Sequence, residues 1–172
     1  MGTSYPFEGN AYVGLCLYKE PERTYREYLA VKLLEPLKGR ISYQLEFVYK
    51  VASLSNLGID SIQMLFTKDS IFLKSNQVIR TSLNEHMLST NLKNDPQHWL
   101  SASISFIATG KEHYLHFGNF VPDSLSISDN DDVIQSMARD NSRKEVVAYY
   151  YFDEFRLTEI RQSVSSPENR TV

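Results

Sequence analysis

The stretch that decides the fold is VVAYYYFDEFRL, residues 146–157. It is filled with aromatic and β-branched residues, which suit a half-buried pleated strand better than a helix. The same alternation of apolar and polar side chains predicts six further strands, at residues 11–18, 25–34, 40–52, 59–66, 99–109 and 113–120. Residues 77–81 are either a short extra strand or part of a variable loop over 70–95. The chain is therefore predicted to be all-β.

Length and composition indicate how the chain is divided into domains and which ligands its charge disfavours. A chain of 172 residues favours one domain, which we expect at residues 1–160, followed by a polar disordered tail or linker at 161–172. We expect residues 122–143 to form a long excursion, and residues 99–109 and 113–120 to pair as a hairpin. The net charge of −3 offers no basic surface to nucleic acid.

The composition also bears on disulfide bonds and on insertion into a membrane. The single cysteine, Cys16, excludes an internal disulfide, and its place in an apolar run predicts a buried, inert thiol. No stretch reaches the roughly 20 apolar residues that a membrane helix needs, so we do not expect a membrane-spanning protein. The first residues lack a basic and an apolar region, so no signal peptide is expected in this chain.

Several short motifs follow one another in a recognisable order, at residues 9–15, 25–29, 33–39, 108–115, 117–120 and 149–155. Among them are GNAYVGL, LLEPLKG, FGNF and YYYFDEF. Together they resemble the jelly-roll, carbohydrate-binding-module-like domains of Bacteroidetes envelope proteins. Such domains often lie beside OmpA-like domains or in gliding and type IX secretion proteins.

The resemblance implies a fold, a location and two competing functions. The fold is an antiparallel β-sandwich of jelly-roll type, galactose-binding-like, in the cell envelope (periplasm, outer membrane or cell surface). One function is non-catalytic glycan binding. The alternative is a protein-interaction scaffold in an envelope, secretion or gliding assembly, with an envelope protein as partner. Because an initial strand of the family pattern is in doubt, a partner chain could also donate a strand.

Asp153 is the candidate metal ligand. In similar jelly rolls an acid of the last strand helps to hold a structural calcium, which needs six to eight oxygen ligands. The alternative is a strand-end acid that faces solvent or pairs with Arg156 or Arg26. A second acid, Glu27, shares a face with apolar residues and so requires a partner, such as a tyrosine hydroxyl or an arginine.

Aromatic side chains are the candidate ligand-binding residues, because sugar C–H faces stack on exposed rings. The candidates are Tyr28, Tyr49, Trp99, Tyr114 and Tyr150. For each of them packing in the sandwich core is the competing interpretation, and for Trp99 it is the favoured one. No catalytic residue is predicted, since no nucleophile elbow occurs and no carboxylate pair can be nominated from the sequence.

Overall fold

Eight strands build this domain in the computed structural model, which describes residues 4–20, 25–53, 55–71, 79, 86–121 and 145–161. The strands are β1 (Val13–Glu20), β2 (Tyr28–Lys32), β3 (Ser42–Val51), β4 (Ser61–Thr67), β5 (His86–Asn91), β6 (Leu100–Ile107), β7 (Tyr114–Gly118) and β8 (Val146–Glu159). Within the described ranges, no helix is long and apolar enough to pass through a membrane.

The strands form two four-stranded antiparallel sheets. Sheet A has the order β1-β8-β3-β6 and sheet B the order β2-β7-β4-β5. Consecutive strands lie in opposite sheets, except β4 and β5, which are neighbours in sheet B. Eight strands connected in this way form a jelly roll. The predicted fold class, an all-β antiparallel sandwich of jelly-roll type, is therefore confirmed.

Aromatic rings join the two sheets in the core. Phe47 of β3 and Phe152 of β8 come from sheet A, and Phe117 of β7 comes from sheet B. The ring centroid of Phe117 lies 5.0 Å from that of Phe47 and 4.9 Å from that of Phe152, with edge-to-face geometry in both pairs. Such pairs add roughly 0.5–1.5 kcal/mol each to the effect of burial. The apolar residues of the alternation seen in the sequence therefore form this core.

One prediction about strand pairing is wrong, and one strand was given no position from the sequence. The strands β6 and β7 do not form a hairpin, because β6 pairs with β3 in sheet A while β7 pairs with β2 and β4 in sheet B. Strand β5, whose sequence HMLSTN has few strong strand formers, was missed inside the predicted irregular region. Most of residues 77–81, the excursion at 122–143 and the tail beyond residue 161 lie outside the described residues.

Candidate functional site

Two of the five candidate aromatic residues are core residues. Tyr49 is 3% exposed and Tyr150 is fully buried. Each hydroxyl ties a loop to the core, since Lys93 N–H donates to Tyr49 Oη over 2.8 Å and Ile59 N–H to Tyr150 Oη over 2.9 Å. Burial raises the pKa of the Tyr49 hydroxyl. Neither ring can stack on a ligand, so the binding role predicted for both is wrong.

Two other candidates, Tyr28 and Tyr114, lie on the outer face of sheet B, but far from each other. Tyr28 opposes Gly118 across the β2–β7 pair, whereas Tyr114 opposes Lys32 at the other end of that pair. The Tyr28 hydroxyl donates to Asn119 O over 3.1 Å and accepts from Ile79 N–H over 3.1 Å. Burial raises the pKa of this hydroxyl. Tyr28 thus holds neighbouring backbone in place, and its hydroxyl is already engaged.

Trp99 belongs to a group of rings on the outer face of sheet A, which we call the aromatic cluster: Phe7, Tyr12, Trp99, Tyr149 and Tyr151. The Trp99 ring meets Phe7 at 6.3 Å and Tyr12 at 6.1 Å between centroids, both edge-to-face. The ring centroid of Tyr151 lies 4.8 Å from that of Tyr12 and 5.8 Å from that of Tyr149. Phe7 is 52% exposed and Trp99 is partly exposed. Tyr151 is buried beneath the others, so Phe7 and Trp99 are the rings of this cluster that are most open to a ligand.

Asp153 holds the N-terminal segment, residues 4–8, across this face. Its Oδ2 accepts hydrogen bonds from Phe7 N–H at 3.0 Å and Glu8 N–H at 3.4 Å, and its Oδ1 accepts from Glu154 N–H at 2.9 Å. The Trp99 indole N–H donates to Tyr5 O at 3.2 Å and fastens the same segment at a second point. The segment that carries Phe7 is thus hydrogen-bonded both to β8 and to Trp99.

A calcium ion is not favoured by these surroundings. Both oxygens of Asp153 accept from N–H groups, which are not metal ligands, and calcium requires six to eight oxygen atoms. Among the described residues no group of three or more histidine, cysteine, aspartate or glutamate side chains could hold a metal ion. Calcium binding stays an untested prediction.

Replacing Asp153 with alanine should release the N-terminal segment. Phe7 and Glu8 lose their acceptor, so Trp99 becomes more exposed while stability falls by only about 1 kcal/mol. The chain has one tryptophan, so a red shift of its fluorescence reports this change directly. The control is Asp60→Ala, because exposed Asp60 bonds Leu92 through its backbone carbonyl. An unchanged emission spectrum in Asp153→Ala contradicts the anchoring role.

Beside the aromatic cluster, the same face of sheet A contains a cavity of about 250 Å³, which we call the polar cleft. It is lined by Glu46, Phe47, Val48, Ser101, Ala102, Ser103, Glu154 and Arg156. Val48 is paired with both Ser101 and Asp153, so the cleft lies over the centre of the sheet and next to the anchored segment. Because Trp99 and Ser101 are two residues apart along one chain, the cluster and the cleft form one continuous surface.

A β-bulge in β8 shapes the cleft. Glu46 pairs with Arg156 and Val48 with Asp153, so Phe47 alone on β3 faces both Glu154 and Phe155 on β8. Glu154 has φ of 52°, a left-handed conformation that non-glycine residues seldom adopt. The extra residue turns the Phe155 ring toward Phe47 and Phe117 and leaves Glu154 in the cleft wall. Bulges of this kind often re-aim a side chain at a functional site.

Replacing Glu154 with asparagine should stabilise the domain. Asparagine tolerates the left-handed region better than glutamate, and the expected gain is about 0.5–1 kcal/mol in the free energy of unfolding. Chemical denaturation measures it. The control is Glu35→Asn, at an exposed position without positive φ. A loss of stability in Glu154→Asn would show that the glutamate side chain itself supports the bulge.

The polar residues of the cleft were missed in the sequence. Their signal was the run of serines at alternate positions of β6, Ser101, Ser103 and Ser105, where the intervening residues are apolar. That pattern places a row of hydroxyls on one sheet face. Glu46 and Arg156 become neighbours only through the pairing of β3 with β8, which the chain does not display locally.

Cys16 takes no part in this surface chemistry. It is buried as predicted, and burial raises the pKa of its thiol to about 11. The thiol stays protonated at neutral pH and is therefore a poor nucleophile. The prediction that Cys16 is buried is confirmed.

Several solved structures are similar to this chain, and two of them show the degree of likeness. One, "CBM4 structure and function", is 10% identical with a TM-score of 0.36 over 77% of this chain and 59% of that chain. The other, "Family 16 Carbohydrate Binding Module-2", is 11% identical with a TM-score of 0.42 over 89% of this chain and 79% of that chain. This chain thus spans 59% of the length of the first. No protein-family model and no curated protein matches it. Likeness at these TM-scores supports no conclusion about function, so the jelly-roll assignment rests on the strand order.

Proposed function

We propose that this domain is a non-catalytic module that binds a carbohydrate chain across the outer face of sheet A. The observation that carries the proposal is the continuity of the aromatic cluster with the polar cleft. A sugar ring presents an apolar C–H face and a rim of hydroxyls, and binding sites combine apolar surface with a few placed polar groups. Phe7 and Trp99 offer the apolar surface. Glu46, Ser101 and Arg156 offer the polar groups.

Fluorescence of the single tryptophan tests this proposal. The purified domain is screened on a glycan array, and the best binder is titrated while Trp99 emission is followed. We expect saturable binding that weakens at least about tenfold in Phe7→Ala and in Ser103→Val, which remove a ring face and a hydroxyl. A tenfold change corresponds to about 1.4 kcal/mol.

Tyr114→Ala is the matched control, since Tyr114 lies on the outer face of sheet B. It should leave binding unchanged, and thermal melting verifies that each variant is folded. Loss of binding in Tyr114→Ala with retention in Phe7→Ala would move the site to sheet B. A folded protein that binds nothing on the array refutes glycan binding.

A protein-interaction scaffold is the second candidate, and the edge of sheet B supports it. Strand β2 is an edge strand in the order of sheet B, with Val31 46% exposed and Leu34, just beyond it, fully exposed. Exposed apolar edges are templates for strand addition by a partner chain. Protection of the β2 amides from hydrogen exchange by an envelope extract, abolished in Val31→Lys, would favour this candidate.

The envelope location belongs to the same proposal. A glycan-binding or scaffold domain of this kind would act in the periplasm, at the outer membrane or at the cell surface. Fractionation of cells that express the full-length protein tests it. Recovery with the cytoplasmic fraction would contradict an envelope role.

A further inference from the structure

The charged side chains of the polar cleft are not paired with one another. Glu46 and Arg156 are direct partners in the β3–β8 register, yet within the described part of the chain no salt bridge or side-chain hydrogen bond joins them or Glu154. Glu46 is half-buried, whereas Glu154 and Arg156 are exposed to solvent. These three side chains are therefore available to a ligand.

The balance of charge in the cleft is negative. Two carboxylates, Glu46 and Glu154, accompany one guanidinium, Arg156. Further along the same face, Lys50 and Asp153 add one charge of each sign. The face thus keeps a net negative charge near the cleft, in a protein whose net charge is −3.

We propose that the polar cleft selects uncharged sugar units and rejects units that carry a carboxylate or a sulfate. This inference rests on the proposed glycan binding and names the class of ligand. Hydroxyls can donate to Glu46 and Glu154 and accept from Arg156. An anionic sugar meets two like charges against one opposite charge, and unpaired like charges across an interface cost affinity.

The size of the cleft determines how many sugar units of a polysaccharide it can hold. Pockets for drug-sized ligands have volumes of roughly 300–1,000 Å³, and the cleft, at about 250 Å³, is smaller. It therefore suits a single sugar unit of a longer chain, with the next unit lying toward Phe7 and Trp99. One carboxylate in each repeating unit is then enough to place a charge in the cleft.

Matched polysaccharides test the selection. A glucan, a galactan and a mannan are each compared with the same polymer after oxidation of C6 to the carboxylate, by titration against Trp99 fluorescence. We expect the neutral form of the preferred polymer to bind about tenfold more tightly than its oxidised form. The preference should shrink at about 1 M salt, where the Debye length is only about 3 Å.

The double variant Glu46→Gln/Glu154→Gln changes the charge of the cleft with little change in shape. It should abolish or reverse the preference, because only Arg156 remains charged. The control is Glu35→Gln, an exposed residue between β2 and β3 that does not line the cleft. It should keep the preference of the unmodified protein.

The outcomes separate the two proposals. Equal or tighter binding of the oxidised polymer by the unmodified protein overturns charge selection while glycan binding stands. An unchanged preference in the double variant shows that the cleft is not its origin and also overturns the inference. Failure of every neutral and oxidised polymer to bind refutes both.

Discussion

Replacing Phe152 with alanine should destabilise the domain by about 3–5 kcal/mol, the range for deleting a buried phenylalanine ring. Phe152 is fully buried on the central strand β8, and its ring packs on Phe47, Phe117 and Tyr150. Domains of this kind have only about 5–15 kcal/mol of stability in total. We therefore expect a partly or wholly unfolded protein at 37 °C, measured by urea denaturation.

Phe155 is the matched control three residues later. Its ring also contacts Phe47 and Phe117, but it is 36% exposed. Phe155→Ala should cost about 1–2 kcal/mol, since part of the ring already lies in water. Equal losses in the two variants would contradict the assignment of Phe152 to the centre of the core.

The change Glu112→Gln should destabilise the domain by about 3 kcal/mol at neutral pH. The Glu112 carboxylate is 1% exposed and closes the turn before β7. Its Oε1 accepts from Thr109 N–H and from the Thr109 hydroxyl, both at 2.8 Å, and lies 3.0 Å from His86 Nδ1. Its Oε2 accepts from Gly110 N–H at 2.8 Å and Lys111 N–H at 2.9 Å. An amide has one oxygen, so some of these donors would face an NH₂ group.

The pH dependence of this loss provides a second measurement. Burial alone would raise the pKa of Glu112, but hydrogen bonds from Thr109 and His86 outweigh burial and lower it from 4.5 to about 2. A lowered carboxyl pKa stabilises the fold above the unfolded-state value and loses that effect as pH falls toward the folded-state value. The difference between wild type and Glu112→Gln should therefore narrow below about pH 4.5. Glu159→Gln is the control, because Glu159 meets Lys38 only at 3.9 Å on the surface. A difference independent of pH would contradict the carboxylate's role.

Much of the fold could be predicted because alternation is a local property. The stretch at residues 146–157 has its inward Tyr150 and Phe152 and its outward Tyr149 and Tyr151 where period two places them. The requirement that Glu27 find a partner was also sound, since Tyr25 Oη donates to Glu27 Oε1 at 2.8 Å. The bulge was not predictable, since Glu154 resembles neither glycine nor asparagine.

The site could be predicted only in its chemical character. Aromatic residues are the predicted ligand-binding candidates, but the sequence does not distinguish buried Tyr150 from partly exposed Trp99. Phe7 was not considered, because its place beside Trp99 depends on two hydrogen bonds to Asp153 made across most of the chain. Contacts of such long range leave little local trace.

The position of β8 between β1 and β3 governs when this protein can fold during its synthesis. The ribosome delivers β1 and β3 first, but sheet A has a gap at its centre until residue 159 has emerged. Until then, β1 has no strand beside it in its sheet. Its apolar side chains Leu15 and Leu17, which are buried in the folded domain, are then not fully buried. Nascent chains in this state attract chaperones and aggregate readily, so we expect folding to complete after the last strand leaves the exit tunnel.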